Sequence, residues 1–324
     1  MKPSKLILCS ICIAGYPSDA IVGCVIYKMT STISFGDILV RGIRSTVSQH
    51  TSASLTLKNC KKTFSTDSLR RGRTLKSDKM PKYSYHTIAH KTLAPARFEW
   101  MASQAEAAKI DLNFFPWVTV DDIKDVPHQY SEAASRWRHG RAMKPTELAC
   151  SLSHLQLWRQ LLNSTDDYYI IFEDDMAFEP NLDEIVRSCF TYRKARLIKL
   201  SALEHKPYRY DVIDTLPTGH QFIRFKKVPY SAGAYIISRS AAETMIPYCE
   251  KIHVAMDAMM CRTWNHKVAS YGVYPLPAIH APQFESAVGD RPLQRDHDNP
   301  FIKGYSRICR MTDSVRRRVL NRAS

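Results

Sequence analysis

Positions 168–175 read Tyr-Tyr-Ile-Ile-Phe-Glu-Asp-Asp, an apolar run that ends abruptly in three acidic residues. Aromatic and β-branched residues without polar alternation predict a short strand buried on both faces, as strands of parallel sheets are. Ligands of α/β proteins bind beyond the carboxyl ends of such strands. We therefore expect Glu173, Asp174 and Asp175 to lie at a ligand-binding edge of a sheet.

The three carboxylates would repel one another unless a cation or several hydrogen-bond donors compensated them. Oxygen ligands favour Mn²⁺ or Mg²⁺, which keep coordination positions for water and substrate phosphates. The segment therefore predicts a divalent metal held by Glu173, Asp174 and Asp175, suited to neutralising a diphosphate leaving group. The alternative is an acidic loop or helix start, because carboxylates are favourable in a first helical turn.

Strands and helices alternate on both sides of this segment from Met80 onward. We expect strands at residues 83–89, 112–120, 196–200, 234–238 and 271–274, and helices at 97–110, 146–162, 182–190, 240–249 and 256–267. A polar stretch containing Pro127, Arg136, Arg138 and Arg141 is interpreted as a long loop. This alternation predicts an α/β fold with a mostly parallel central sheet covered on both faces.

The helix upstream of the acidic segment carries a polar stripe. Glu147, Ser151 and His154 fall at i, i+4 and i+7, so they share one face of an otherwise apolar helix. Such a stripe needs a partner, either a ligand or a buried hydrogen bond.

The two ends of the chain differ from its middle. Residues 1–79 carry thirteen Lys and Arg against four Asp and Glu, have no sustained period, and predict a low-order extension. Its apolar run at residues 6–15 resembles a signal-peptide core, but the working protein is expected to begin at Met80. Residues 291–324 form a basic tail with six arginines at 307–322, typical of a helix on an anionic membrane or of a solvated helix.

The net charge of +15 is uneven, and no nucleic-acid motif accompanies it, so no nucleic-acid partner is expected. Nine cysteines without repeating spacing fit a reducing compartment. We expect a cytoplasmic protein, in peripheral contact with the inner face of the membrane if the tail binds there.

Several motifs in order resemble glycosyltransferase family 25 over roughly residues 82–290. They are the Glu147-x-x-Cys150-x-x-Ser153-His154 helix start, the strand ending in Glu-Asp-Asp, the first strand with Arg97, the segment 115–121, the segment 233–238, Asp257, and the stretch 275–286. The chain departs from the family pattern at Ala149, where glycine is usual, and at Ala89-His90, where an Asn-Leu pair is usual.

The resemblance implies a Rossmann-like GT-A fold that moves a sugar from a UDP-sugar, with galactose as the best guess, to a lipooligosaccharide or lipopolysaccharide core acceptor. Inversion at the anomeric carbon needs a base, for which Asp257 is the candidate, with a helix cap as its alternative role. Donor binding is assigned to Arg97, Asp121, Glu147, His154 and Asp174.

Two further groups have ligand-like residue types. His280 is either an additional metal ligand or a surface histidine, and Asp296-His297-Asp298 is either a ligand set or a solvated loop. Two other functions remain open: a metal-dependent phosphoester hydrolase, and a basic membrane-binding or nucleic-acid-binding module without catalysis.

Overall fold

The computed structural model describes residues 6–7, 27–28, 80–125, 130–203, 208–284 and 299–323. The chain divides into two compact units, Met1–Thr63 and Phe64–Ser324. In the first unit, strands β1 (Leu6–Ile7) and β2 (Tyr27–Lys28) pair antiparallel. The rest of the predicted extension, together with Pro127 and Asp296-His297-Asp298, lies outside the described residues.

The second unit is an α/β structure. Its strands are β3 (Tyr83–Ile88), β4 (Leu112–Phe115), β5 (Tyr168–Glu173), β6 (Met176–Phe178), β7 (Leu197–Lys199), β8 (Tyr210–Thr215), β9 (Gln221–Phe225), β10 (Ala234–Ser238), β11 (Ser270–Tyr274) and β12 (Ala278–His280). Its helices are α1 (Pro95–Ala107), α2 (Glu132–His139), α3 (Pro145–Asn163), α4 (Leu182–Cys189), α5 (Arg239–Cys249), α6 (Met256–Met260), α7 (Thr263–His266) and α8 (Pro300–Ala323), with a 3-10 turn at Asp122–Asp125.

Eight strands form one sheet in the order β4-β3-β5-β10-β7-β11-β9-β8. Of the seven described pairings, β3–β4, β3–β5 and β7–β11 are parallel and the other four are antiparallel. The sheet is therefore mixed, which corrects the expectation of a mostly parallel one. A strand that pairs parallel to the one before it needs a crossover connection. After β7, however, the chain forms the hairpin β8–β9 and then pairs β10 with β7 in the antiparallel direction.

Strand β5 is buried on both faces, as its sequence predicted. Ile170 and Phe172 pack in a core with Met101 of α1 and residues of α4. Tyr169 and Ile171 face the other way, into a core with Trp158 of α3 and residues of α5. Helices thus cover both faces of the sheet, and β5 is fixed at its centre.

Several helices begin or end at other residues than the sequence predicted, because short polar segments cap them. Helix α2 replaces part of the expected loop, because Ser131 caps its start by accepting a hydrogen bond from Ala134 N and Gly140 ends it with φ 78°. The expected helix 256–267 is two short helices, α6 and α7. Helix α3 begins at Pro145, one residue before the expected start, with Lys144 at its cap, and Glu147 accepts a hydrogen bond from Lys144 N at 3.0 Å.

A glycine holds β10 close to the acidic segment. A Cβ on Gly233 would lie 2.6 Å from Met176 Sδ and 3.3 Å from the hydroxyl oxygens of Ser201 and Ser231. Met176 is fully buried directly after Asp175, and Gly233 O accepts a hydrogen bond from Glu173 N. The absence of a side chain at Gly233 therefore lets the acidic turn sit against the sheet.

We expect Gly233→Ala to lower the free energy of unfolding by roughly 1–3 kcal/mol, because a buried contact is overfilled. Gly304→Ala is the matched control, since a Cβ there meets nothing within 4 Å and alanine favours a helix by about 0.5–1 kcal/mol. Urea unfolding of both variants measures the difference. Equal stability of the two would contradict the close packing.

Candidate active site

A cavity of about 330 Å³ opens where the three parallel strands end together. Ile88 of β3 is level with Phe115 of β4 and with Glu173 of β5. The first turn of α1, one face of α3 and residues 117–120 complete the walls, which are mostly apolar. A largely apolar cleft with a few convergent polar groups is the usual form of a small-molecule site.

The structure splits the acidic segment into two parts. Glu173 lies at the end of β5 and turns toward α3, where its Oε1 is 3.3 Å from His154 Nε2 and 3.8 Å from Cys150 Sγ. Asp174 and Asp175 lie in the turn before β6 and are both buried. All three line the cavity, so the sequence was right to place them together at a strand end.

Asp174 and Asp175 share one arginine. Arg97 Nη1 donates to Asp174 Oδ1 at 2.8 Å and lies 3.8 Å from Asp175 Oδ2. Burial raises the pKa of Asp174 to about 6, against the lowering effect of Arg97. One guanidinium therefore does not fully compensate two buried carboxylates.

Among the residues that the structure describes, Asp174 Oδ2 and Asp175 Oδ1 have no hydrogen-bond partner, and both atoms are buried. A buried carboxylate oxygen without a donor is costly unless a cation completes it. His280 Nδ1 of β12 stands 3.4 Å from Asp175 Oδ1, because β12 pairs with β6 and brings His280 opposite Met176. Carboxylate oxygens with one imidazole fit Mn²⁺, which accepts both ligand types.

A second group of ligand atoms is on the other wall. Cys150 Sγ, His154 Nε2 and a Glu173 oxygen lie within 4.8 Å of one another. Burial raises the pKa of the Cys150 thiol well above its ordinary value, and Glu173 adds to the increase. A protonated thiol is a poor ligand for Mn²⁺ or Mg²⁺, so the aspartate pair is the better position for such an ion.

His154 is fixed by a buried hydrogen-bond chain. Trp158 Nε1 donates to the Tyr235 hydroxyl at 2.8 Å, and that hydroxyl is 2.9 Å from His154 Nδ1. Every group is satisfied if Tyr235 donates to Nδ1 and His154 Nε2–H faces Glu173. His154 therefore orients Glu173 toward the cavity.

The rest of the polar stripe on α3 is satisfied by the protein itself. Glu147 receives two hydrogen bonds of 2.7 Å from Arg141, and Ser151 accepts one from Met256 N at 3.1 Å. Neither residue lines the cavity. Both carboxylate oxygens of Glu147 hold the start of α3 and the segment before it, and its assignment to donor binding stays a prediction.

Asp121 and Asp257 also lie outside the residues that line the cavity. Asp121 is exposed in a turn, because β4 ends at Phe115 and not at the aspartate, although its neighbours Thr119 and Val120 do reach the cavity. Asp257 is 5% exposed in the first turn of α6, and its Oδ1 accepts a hydrogen bond from Ala258 N at 2.6 Å. It acts electrostatically on the thiol of Cys150 at the cavity wall.

Sequence reasoning missed Lys199. It is fully buried in β7, donates from Nζ to Ser231 O, and has its pKa lowered by burial. Cys261, Asp257 and Glu173 oppose that lowering, so Lys199 lies within electrostatic range of both carboxylates. A lysine in the apolar run Leu197-Ile198-Lys199 was the available signal.

The Asp174 pKa gives a prediction about stability. The pKa of Asp174 in the folded protein, about 6, lies above the ordinary value of 3.8. The protonated carboxyl group therefore stabilises the fold fully below pH 3.8, and this contribution is lost as the pH rises through 6. Relative to Asp174→Asn, the wild type should lose roughly 2–3 kcal/mol of unfolding free energy between pH 4 and pH 7. Urea unfolding of both proteins at several pH values checks it, and a constant difference would contradict the assignment.

The fold and the cleft together define a class of protein: an α/β protein with a buried acidic turn at the end of a central strand. A family model described as "Glycosyltransferase family 25 (LPS biosynthesis protein)" matches residues 92–260, just over half of the chain. The chain belongs to glycosyltransferase family 25, as the sequence motifs indicated.

Individual relatives agree with the family. The lipooligosaccharide biosynthesis protein lex-1 of Haemophilus influenzae is 28% identical over 152 residues, which are 43% of this chain and 50% of that protein. A glycosyltransferase 25 family member of Drosophila pseudoobscura is 23% identical over 185 residues, 53% of this chain and 30% of that protein. One of Aedes aegypti is 28% identical over 91 residues, 26% and 15% of the two chains. The matches thus span half or less of these relatives' lengths.

In the part of the chain that the structure describes, no helix combines the length and apolar character that crossing a membrane requires.

Proposed function

We propose that this protein transfers a sugar from a UDP-sugar, with galactose as the first choice, to a saccharide or glycolipid acceptor of the lipooligosaccharide or lipopolysaccharide core. The observation that carries the proposal is the buried pair Asp174 and Asp175 on the wall of an apolar cleft, each with one oxygen atom that receives no hydrogen bond from the described residues. Membership of glycosyltransferase family 25 and the printed name of the lex-1 relative support the acceptor class.

Asp174 and Asp175, with His280, would hold a divalent metal, Mn²⁺ or Mg²⁺, which would supply positive charge to a departing diphosphate. The ion would also compensate the two carboxylates better than Arg97 does alone. Arg97 then remains as a fixed cation beside the diphosphate, where a guanidinium binds phosphate oxygens well. Glu173, oriented by His154, faces the same space and suits a ribose or sugar hydroxyl.

We assign the inverting base to Asp257. Direct displacement requires a group that takes the proton of the acceptor hydroxyl as its oxygen attacks the anomeric carbon. Asp257 is buried, and it influences both Cys150 at the cavity wall and the buried Lys199.

A metal-dependent phosphoester hydrolase would use the same aspartates. Two-metal hydrolases hold their ions about 3.5–4 Å apart between several carboxylates. In the described part of the chain, the second group of ligand atoms is Cys150, His154 and Glu173, whose buried protonated thiol does not suit Mg²⁺. The family assignment also favours transfer over hydrolysis.

The experiment that tests the function is a thermal-shift screen of nucleotide sugars in the presence and absence of Mn²⁺, followed by product analysis with a truncated lipooligosaccharide acceptor. We expect one UDP-sugar to raise Tm only when Mn²⁺ is present, and to be consumed faster when the acceptor is added. A chain that binds no nucleotide sugar in the screen would refute the proposal, and metal-dependent cleavage of simple phosphoesters would favour the hydrolase.

A further inference from the structure

Helix α8 (Pro300–Ala323) packs on the domain with its polar side. Asp313 forms an ion pair with the buried Arg262, with Arg262 Nη2 3.4 Å from Asp313 Oδ2, and Ser306 is 1% exposed. The helix contacts α2 and α7. A surface helix ordinarily turns its apolar side inward, so α8 has the reverse orientation.

Most of the described apolar side chains of α8 point to solvent, whereas Ile302 and Cys309 are half-buried. At 3.6 residues per turn, six of them fall within an arc of about 120° on the side opposite Asp313. Their exposed fractions are 78% for Phe301, 45% for Tyr305, 52% for Ile308, 51% for Met311, 55% for Val315 and 60% for Val319. We call these six residues the outer stripe. A contiguous exposed apolar surface of this kind marks an interaction site.

Aromatic and basic residues border the outer stripe. Trp137 of α2, 45% exposed, meets Tyr305 edge to face with ring centroids 5.6 Å apart, and so continues the stripe. Arg307 and Arg318 are exposed along one border and Arg316 along the other. Asp313 is the one acidic residue in the sequence 299–323, and it faces the domain.

We infer that the outer stripe docks this protein on a membrane surface of anionic lipid, with the helix lying in the plane of the interface. Apolar side chains between arginines match the layering of acyl chains beneath negatively charged headgroups. A second copy of the chain fits less well, because a two-fold interface sets the same patch against itself and opposes Arg307, Arg316 and Arg318 to their own copies. The net charge of +15 adds to that repulsion.

Vesicle flotation tests the inference without any nucleotide sugar, so its result is independent of the proposed reaction. The full chain is mixed with phosphatidylcholine vesicles containing phosphatidylglycerol, and with vesicles of phosphatidylcholine alone. We expect binding to the anionic vesicles that weakens as salt is added. Affinity for the neutral vesicles should be lower by at least about tenfold.

Val315→Asp should lower affinity for the anionic vesicles by at least about tenfold, because a charge replaces an inserted apolar group. Val212→Asp on β8 is the matched control, with the same change of charge at a valine that is 51% exposed, and should bind like the wild type. Both sites are more than half exposed, so both variants should fold, which the melting temperature verifies.

Absence of binding to anionic vesicles, or equal binding by Val315→Asp and the wild type, would overturn the inference. Sedimentation equilibrium tests whether a second copy of the chain covers the outer stripe instead. A wild-type dimer that Val315→Asp converts to monomer, without vesicle binding, would assign the outer stripe to a second copy instead.

Discussion

Replacing Asp175 by asparagine should abolish the Mn²⁺-dependent binding of a nucleotide sugar and lower transfer by about 10²–10³-fold. Asp175 Oδ1 is buried, receives no hydrogen bond from the described part of the chain, and lies 3.4 Å from His280 Nδ1. Asparagine keeps the size of the side chain but removes the charge that attracts the ion. The fold should survive, because removing one of two adjacent buried carboxylates relieves repulsion with Asp174.

The measurement pairs a Tm shift with Mn²⁺ and a UDP-sugar, and an initial rate with a saccharide acceptor. Asp211→Asn is the control, since Asp211 is exposed on β8 and pairs with Lys226 away from the cavity. It should retain both the shift and the rate. If Asp175→Asn kept a full Mn²⁺-dependent shift, the ion would not bind at the aspartate pair, and the wall formed by Cys150, His154 and Glu173 would be the site to test next.

The second large effect is expected at Asp257. Asp257→Asn should leave donor binding unchanged and lower transfer by about 10²–10⁴-fold, the usual contribution of a general base. The two effects separate because a general base is needed only in the chemical step, while Asp257 lies outside the residues that line the cavity. The asparagine carbonyl can still accept the hydrogen bond from Ala258 N, so α6 should keep its start.

Donor affinity is read from the Tm shift with Mn²⁺ and UDP-sugar, and the chemical step from the rate under saturating donor and acceptor. A pH profile adds a readout that a structural role would not change, because loss of the base removes the acidic limb of the wild-type profile. Unchanged turnover in Asp257→Asn would eliminate it as the base. Loss of donor binding together with rate would reassign it to holding the fold of the site.

The sequence predicted the centre of the site because its signals are local. A run of apolar residues followed directly by carboxylates defines β5 and the turn after it, and the helix α3 follows from periodicity. The sequence did not predict that the three carboxylates have different partners. That division depends on side-chain direction: Glu173 turns to His154, whereas Asp174 turns to Arg97.

The elements that the sequence did not predict correctly have separate causes. Strand β8 is half exposed at the sheet edge, so its sequence lacks the apolar run that marks β5. The two halves of the expected helix 256–267 separate because Arg262, between them, leaves the helical path with φ −88° and ψ 53°. The polar stripe of α3 left two interpretations open, a ligand or a buried hydrogen bond. The structure shows that Arg141 binds Glu147 and that the backbone of Met256, 105 residues further along the chain, donates to Ser151.

The sequence by itself therefore determined the buried central strand, the acidic turn at its end, and the family to which these motifs belong, because each rests on residues adjacent in the chain. Tertiary structure alone decided the mixed direction of the sheet, the placement of His280 beside Asp175, and the outward orientation of the apolar stripe on α8. These features depend on which distant segments meet. No periodicity within one segment carries that information, since periodicity identifies the face of a helix but not the partner that the face meets.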